Sequence, residues 1–261
     1  MHTRLLVATL VAGFLHPQPA AQAQAPQATT AGKSIEIVLD ASGSMNAKLA
    51  DGRTRLDGAR EAIGVVAPAI PATARIALRV YGDQSPRAKH DCRDTRVAVP
   101  FADAGKAAPA TLEAVRKVTA QGYTPITWVI EQAAGDLANE SSADKLVVLV
   151  SDGKETCEGD PCAAARALAS SGAKVAIHTI GFGVDSAARL QLECIAKATG
   201  GTYFPAESAA DLAAALKTAT VTSATKIVVI RFQKNVSVRN TPPVRPMTSI
   251  PVSHALCRRG T

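Results

Sequence analysis

Two stretches of this chain are almost unbroken apolar runs, Ile35–Asp40 (Ile-Glu-Ile-Val-Leu-Asp) and Lys145–Ser151 (Lys-Leu-Val-Val-Leu-Val-Ser). A strand that is half exposed alternates apolar and polar residues. A strand apolar on both sides must be covered on both faces, and that is the situation of central strands in parallel sheets. Such a sheet needs crossover helices, and the rest of the chain supplies their pattern. Leu56, Ala59, Ile63, Val66 and Ile70 recur at helical spacing up to Pro71. Strands are expected at Arg75–Tyr81, Thr95–Phe101, Lys174–Phe182 and Thr202–Pro205. Helices are expected at Ala107–Thr119, Pro125–Asn139, Pro161–Ser170, Ser186–Thr199 and Ser208–Thr220, with Ser208 and Asp211 forming an N-terminal cap. Strand–helix alternation over about 190 residues predicts an α/β fold, a doubly wound and mostly parallel sheet with helices on both faces.

The 261 residues are enough for one such domain with a sizeable core. The first 23 read as a leader. Met1-His2-Thr3-Arg4 is basic and Leu5–Leu15 is apolar. Ala21-Gln22-Ala23 and Ala23-Gln24-Ala25 both fit a small-x-small cleavage site, the first being favoured because the second would leave Pro26 at the new N-terminus. The apolar stretch is too short to span a bilayer, and no second stretch of roughly 20 residues follows, so no transmembrane segment is expected. Export to the periplasm or beyond is the reading. Residues 24–33 are rich in Ala, Gln, Pro and Thr and read as a linker, 34–225 as the domain and 226–261 as a basic tail.

The net charge of +7 belongs to that tail. Residues 226–261 hold seven Lys or Arg and no Asp or Glu, whereas 1–225 hold 22 of each sign. The body therefore carries no nucleic-acid footprint, and 3% aromatics gives little surface for stacking bases. Lys226–Phe232 could add an edge strand. From Arg239 onward four prolines and scattered charges predict disorder, with weak contact to anionic envelope surfaces as one role for the tail.

Three polar groups fall where doubly wound sheets bind ligands, beyond the carboxyl ends of the strands. They are Asp40, Ser42 and Ser44 after the first run, Thr124 in Gly122-Tyr123-Thr124-Pro125, and Asp152 in Ser151-Asp152-Gly153 after the second run. All are hard oxygen donors, which suit Mg²⁺, Mn²⁺ or Ca²⁺ and disfavour zinc and copper. Separately, each could cap a helix or shape a turn. Asp91 and Glu155 sit on loops at the same edge and could tune such a site. Trp128 reads as core, His178 as a hydrogen-bonded strand residue, and His90 as exposed.

Taken in order, Asp-x-Ser-x-Ser, a Thr in a Gly-x-Thr-Pro loop and Ser-Asp-Gly after a buried strand resemble the von Willebrand factor type A domain family. The resemblance covers roughly residues 33–220. It implies a Rossmann-like sheet with one antiparallel edge strand, and a metal-ion-dependent adhesion site built from Asp40, Ser42, Ser44, Thr124 and Asp152. It also implies a divalent cation, Mg²⁺ foremost, and a protein partner that offers an acidic side chain to the metal. The chain is then a binding module and not an enzyme. A Mg²⁺-dependent phosphatase is the rival reading, but its second carboxylate would stand where Ser42 is, and a serine cannot transfer that proton near neutral pH. A scaffold subunit of an envelope complex is a further alternative.

Five cysteines fit an exported chain better than a zinc site, since the one short spacing, Cys157-x4-Cys162, has no histidine nearby. Cys92 pairing with Cys157 and Cys162 with Cys194 would clamp two loops beside the cluster. Cys157–Cys162 with Cys92–Cys194 is the local alternative. Cys257 stands alone in the tail.

Overall fold

The computed structural model describes residues 32–221. The expected leader, nearly all of the linker, the suggested strand at 226–232, and the tail with Cys257 lie outside the described residues. The elements follow as β1 Lys33–Asp40, α1 Arg55–Val66, β2 Arg75–Tyr81, β3 Thr95–Asp103, α2 Ala104–Lys117 and α3 Ile126–Ala138. After them come β4 Asp144–Ser151, α4 Pro161–Ser170, β5 Val175–Phe182, α5 Ser186–Ala198, β6 Tyr203–Ala206 and α6 Ala209–Val221. The sheet runs β3-β2-β1-β4-β5-β6. Every pairing is parallel except β2 with β3, which places the one antiparallel strand at an edge.

β1 is buried along its whole length, as a doubly covered strand must be. Its side chains, and those of its neighbours, divide by the two-residue period between two cores. Ile35, Ile37, Leu39, Leu146, Val148, Val150 and Ile180 face α1, α2 and α6. Val38, Val147, Leu149, Val175 and Ile177 face α3 and α5. β1 is also where the strand order reverses, because its partners β2 and β4 lie on opposite sides. The crevice beyond the carboxyl ends of β1 and β4 is therefore the topological switch point, the place where such sheets receive ligands.

Several boundaries have local causes. β1 starts at Lys33, ahead of the expected Ile35, because Lys33 pairs in register with Asp144 and sets its ammonium 3.7 Å from that carboxylate. α1 opens on a capping box, in which Thr54 Oγ1 accepts from Asp57 N–H and Asp57 accepts from Thr54 N–H. It stops at Val66 rather than Ile70. Pro68 lies in a 3-10 turn over Ala67–Ala69, and Pro71 holds Ile70 extended. Asp160 and Asp185 cap α4 and α5, and Ser208 Oγ accepts from Asp211 N–H at the start of α6. Among the described residues no helix is long and apolar enough to cross a membrane.

Candidate metal centre

Asp40 closes β1 with its side chain completely buried. One oxygen accepts from Ser42 N–H at 2.7 Å, and the other accepts from Ser151 Oγ at 2.7 Å. The chain then turns tightly through Gly43–Asn46, which brings Ser42 Oγ and Ser44 Oγ to 3.0 Å. Ser44 Oγ donates to Asp152 Oδ1 at 2.7 Å. The loop after β1 and the loop after β4 are thus joined by one line of oxygens from Ser42 through Ser44 to Asp152.

Thr124 arrives by a different route. The segment before it runs parallel to the chain leaving β1, with a bridge between Ser42 and Gly122. Gln121 N–H donates to Ala41 C=O and Gly43 N–H to Gly122 C=O, both at 3.0 Å. This contact needs glycine. A Cβ on Gly122 would meet Gly82 Cα at 2.8 Å, and Gly82 itself sits at φ +75° with the backbone of Ser42 against it. On its other side Thr124 N–H donates to Thr156 Oγ1 at 2.8 Å, and Thr156 N–H donates to Thr124 C=O at 3.1 Å. Thr124 is held between the β1 tip and the loop that follows Asp152, and it is buried. The five residues predicted from sequence therefore lie on three segments that the structure brings to one place.

The electrostatics of the cluster favour a cation. Burial, reinforced by the nearby charge of Asp152, raises the Asp40 carboxyl to about 6. A dication would offset both the burial and the neighbouring charge, and hard oxygens are the donors that Mg²⁺, Mn²⁺ and Ca²⁺ prefer. The described residues hold no group of three or more His, Cys, Asp or Glu able to bind a metal. A cation here would depend on hydroxyls and on the carboxylates of Asp40 and Asp152, the second of which is also paired with Arg55.

Three residues of the site were not foreseen from sequence. Ser151 holds Asp40, and Tyr81, buried at the tip of β2, donates its hydroxyl hydrogen to Ser151 at 3.1 Å. The Tyr81 hydroxyl titrates well above the usual range, through burial and then the Asp40 charge, so it remains a donor. Arg55, the first residue of α1, donates from Nη1 to Asp152 Oδ2 at 2.8 Å and from Nη2 to Gly183 C=O at 2.7 Å. Ser151 was visible in the Ser-Asp-Gly motif. Nothing in the local pattern marks Arg55.

Asp91 and Glu155 do not hydrogen-bond to the cluster. Asp91 accepts from Ser85 Oγ and Arg93 N–H within its own loop. Glu155 accepts from Thr127 N–H and Oγ1 and from Cys157 N–H, so it caps the start of α3. It acts on the Thr124 segment from behind and is not aimed at the oxygens. His178 Nδ1 accepts from Thr202 N–H inside the fold. Trp128 is only partly buried, with the Arg93 guanidinium over its ring.

Of the two disulfide pairings left open by the sequence, the structure forms Cys92–Cys157 and Cys162–Cys194. The first ties the loop after β2 to the loop after β4 across 65 residues, a constraint on the unfolded chain of about 4 kcal/mol.

Residues 34–218 match the von Willebrand factor type A domain family, and the chain belongs to it. Two curated relatives are uncharacterized proteins of Bacillus subtilis (strain 168). YwmC is 28% identical over 217 residues, 81% of this chain and 91% of its own. YwmD is 26% identical over 212 residues, 78% and 89%. A von Willebrand factor type A protein from Catenulispora acidiphila superposes with a TM-score of 0.59 at 24% identity over 73% of this chain, which spans 42% of that structure. Proximal thread matrix protein 1 from the mussel byssus, solved with zinc in its metal-ion-dependent adhesion site, superposes with a TM-score of 0.55 at 20% identity over 73% of this chain and 45% of its own. These likenesses show the fold.

Proposed function

We propose that this chain is an exported binding module that captures a carboxylate of a protein partner through a divalent cation held by Asp40, Ser42, Ser44, Thr124 and Asp152. The observation that carries the reading is the hydrogen-bonded line from Ser42 through Ser44 to Asp152, with Asp40 buried beneath it. Side-chain oxygens of two separate loops meet in that line, and the Ser42–Gly122 bridge brings the Thr124 segment alongside, which capping or turn roles alone do not require. The metal-bearing site of the mussel protein on the same fold supports the assignment. Mg²⁺ is the favoured ion, because it accepts one or two protein carboxylates and keeps other positions for water or a partner's oxygen.

Each residue has a definable part. Asp40 and Asp152 supply the charge, the three hydroxyls supply neutral donors, and Ser151 with Tyr81 fixes the Asp40 rotamer. The bound cation would supply an acceptor position for the partner's acidic group. Export is supported by the leader-like N-terminus and by two disulfides, which persist in oxidising compartments. A phosphatase reading is disfavoured by Ser42, whose hydroxyl stands where that chemistry wants an acid and bonds to Ser44.

The test is direct. Calorimetric titration with Mg²⁺ should show one site in the wild type and none in Asp40→Ala. A pull-down from envelope extract should recover a partner in Mg²⁺ and lose it in EDTA. Partner capture that survives both EDTA and Asp40→Ala would overturn the reading, as would robust Mg²⁺-dependent phosphatase turnover.

A further inference from the structure

The loop from Gly82 to Asp94 is neutral by composition apart from His90, with Arg87, Lys89 and Arg93 against Asp83, Asp91 and Asp94. Its folding engages the three carboxylates in hydrogen bonds or an ion pair and leaves the three cations exposed. Asp94 is buried and accepts from Gln84 N–H at 3.1 Å and Ser85 N–H at 2.9 Å. Asp83 pairs with Arg96 on β3 at 2.5 Å. Asp91 accepts from Ser85 Oγ at 2.8 Å and Arg93 N–H at 2.9 Å. All three carboxylates serve the frame of the loop, and the three cations are exposed.

Two of those cations are held in place by aromatic rings next to the metal-ligand segment. The Arg87 guanidinium lies 4.7 Å from the centre of the Tyr123 ring, on which His90 also stacks at 4.3 Å. Tyr123 immediately precedes Thr124. The Arg93 guanidinium lies 5.1 Å from the Trp128 ring, on the first turn of α3. Among the described residues neither Arg87 nor Arg93 makes an ion pair. A guanidinium stacked on a ring keeps its charge and its in-plane donors, and has lost rotamer freedom in advance. The Cys92–Cys157 bridge anchors this loop to the one after β4. Beyond that bridge Glu158 and Asp160 are exposed on the loop after β4, and Glu131 on α3 is exposed in the hollow shared with Trp128 and the bridge, so these carboxylates mark where the positive strip ends.

We propose that Arg87 and Arg93 form an anion subsite beside the oxygen cluster, so that the partner is an acidic peptide segment. One of its carboxylates takes the cation position, and neighbouring carboxylates lie along the 82–94 loop. This rests on the divalent-cation reading and extends it from a single carboxylate to a charged stretch.

Two fluorescein-labelled peptides test it by polarisation in Mg²⁺. One carries a lone aspartate among glycines and serines, and the other carries the same aspartate with two glutamates on each side. The wild type should bind the glutamate-flanked peptide about tenfold more tightly. In Arg87→Gln/Arg93→Gln that preference should fall to about twofold, with binding of the lone-aspartate peptide unchanged. The control Lys106→Gln/Lys117→Gln, which removes the same charge from α2, should keep the full preference. EDTA should release both peptides. Equal affinities in the wild type overturn the subsite while EDTA-sensitive binding preserves the cation reading. Equal losses in the control and the Arg variant also overturn it, since net charge alone would then explain them. Binding of neither peptide overturns both readings.

Discussion

Arg55 and Asp152 stand 97 residues apart in the chain, yet Nη1 of one donates to Oδ2 of the other at 2.8 Å. The other oxygen of Asp152 receives the Ser44 hydroxyl. One carboxylate therefore faces a fixed positive charge on one side and the candidate cation position on the other. Arg55 is itself tethered to Gly183 C=O, so the contact is part of the scaffold of the site and not a loose surface pair.

Arg55→Gln follows from this geometry. The guanidinium repels a dication and holds one oxygen of a carboxylate that would share in binding it. Its loss should raise Mg²⁺ affinity by about tenfold, read by calorimetry. The severed bond to Gly183 should lower stability by about 1 kcal/mol. A drop in Mg²⁺ affinity would instead assign Arg55 the role of orienting Asp152.

Asp40→Asn separates charge from shape. An amide can present its oxygen to Ser42 N–H and its NH₂ to Ser151 Oγ, which keeps both contacts of the wild-type side chain. The variant no longer buries an anion beside Asp152. It should be more stable than wild type in EDTA by about 1–3 kcal/mol, while Mg²⁺ ceases to stabilise it. Thermal unfolding of both proteins, with and without Mg²⁺, gives the comparison.

Much of this arrangement was legible in the residues because it is local. The β1 and β4 runs identify themselves by apolar content, and Pro161 and Ser186 mark the starts of α4 and α5 where they were expected. Asp40, Ser42, Ser44 and Asp152 could be placed together because a parallel sheet forces the ends of its strands to one edge. The residues that sequence could not reveal act over distance. Arg55 is an ordinary helix-start residue until the fold sets it opposite Asp152. The burial of Tyr81 follows from strand order, which the pattern does not state. Glu155 and Asp91 lie at the correct edge, but backbone N–H groups nearer at hand take their carboxylates.

Gly122→Ala tests how the Thr124 segment is held. The added Cβ would sit 2.8 Å from Gly82 Cα and 2.9 Å from Ser85 C=O, and neither backbone atom can swing aside. The Ser42–Gly122 bridge must open, and Thr124 moves with it. Mg²⁺ affinity should fall by more than about tenfold and stability by about 1–3 kcal/mol. Gly135→Ala, in α3 with nothing within 4 Å, is the control and should stabilise by about 0.5–1 kcal/mol with no change in Mg²⁺ affinity.

Glu36 gives a pH dependence unrelated to the metal. It lies in the middle of β1, bonded to Arg79 at 3.2 Å on β2, and Arg79 also pairs with Asp136 on α3. Among the described residues, no donor within hydrogen-bond geometry reaches the other oxygen of Glu36. Burial first, and then Asp136, push its carboxyl well above the ordinary value of 4.5. A raised acid is bound to its proton more tightly in the folded state than in the unfolded one. Its ionisation therefore costs stability as pH rises through the folded-state value, and the cost is relieved as pH falls back towards 4.5. Glu36→Gln keeps the shape and removes the titration, while Arg79 retains Asp136. Subtracting the variant's stability from the wild type's at each pH isolates Glu36 from Asp40, which titrates in the same direction. The difference should turn increasingly against the wild type between pH 5 and pH 8. A flat difference would show that Glu36 remains ionised beside Arg79 throughout.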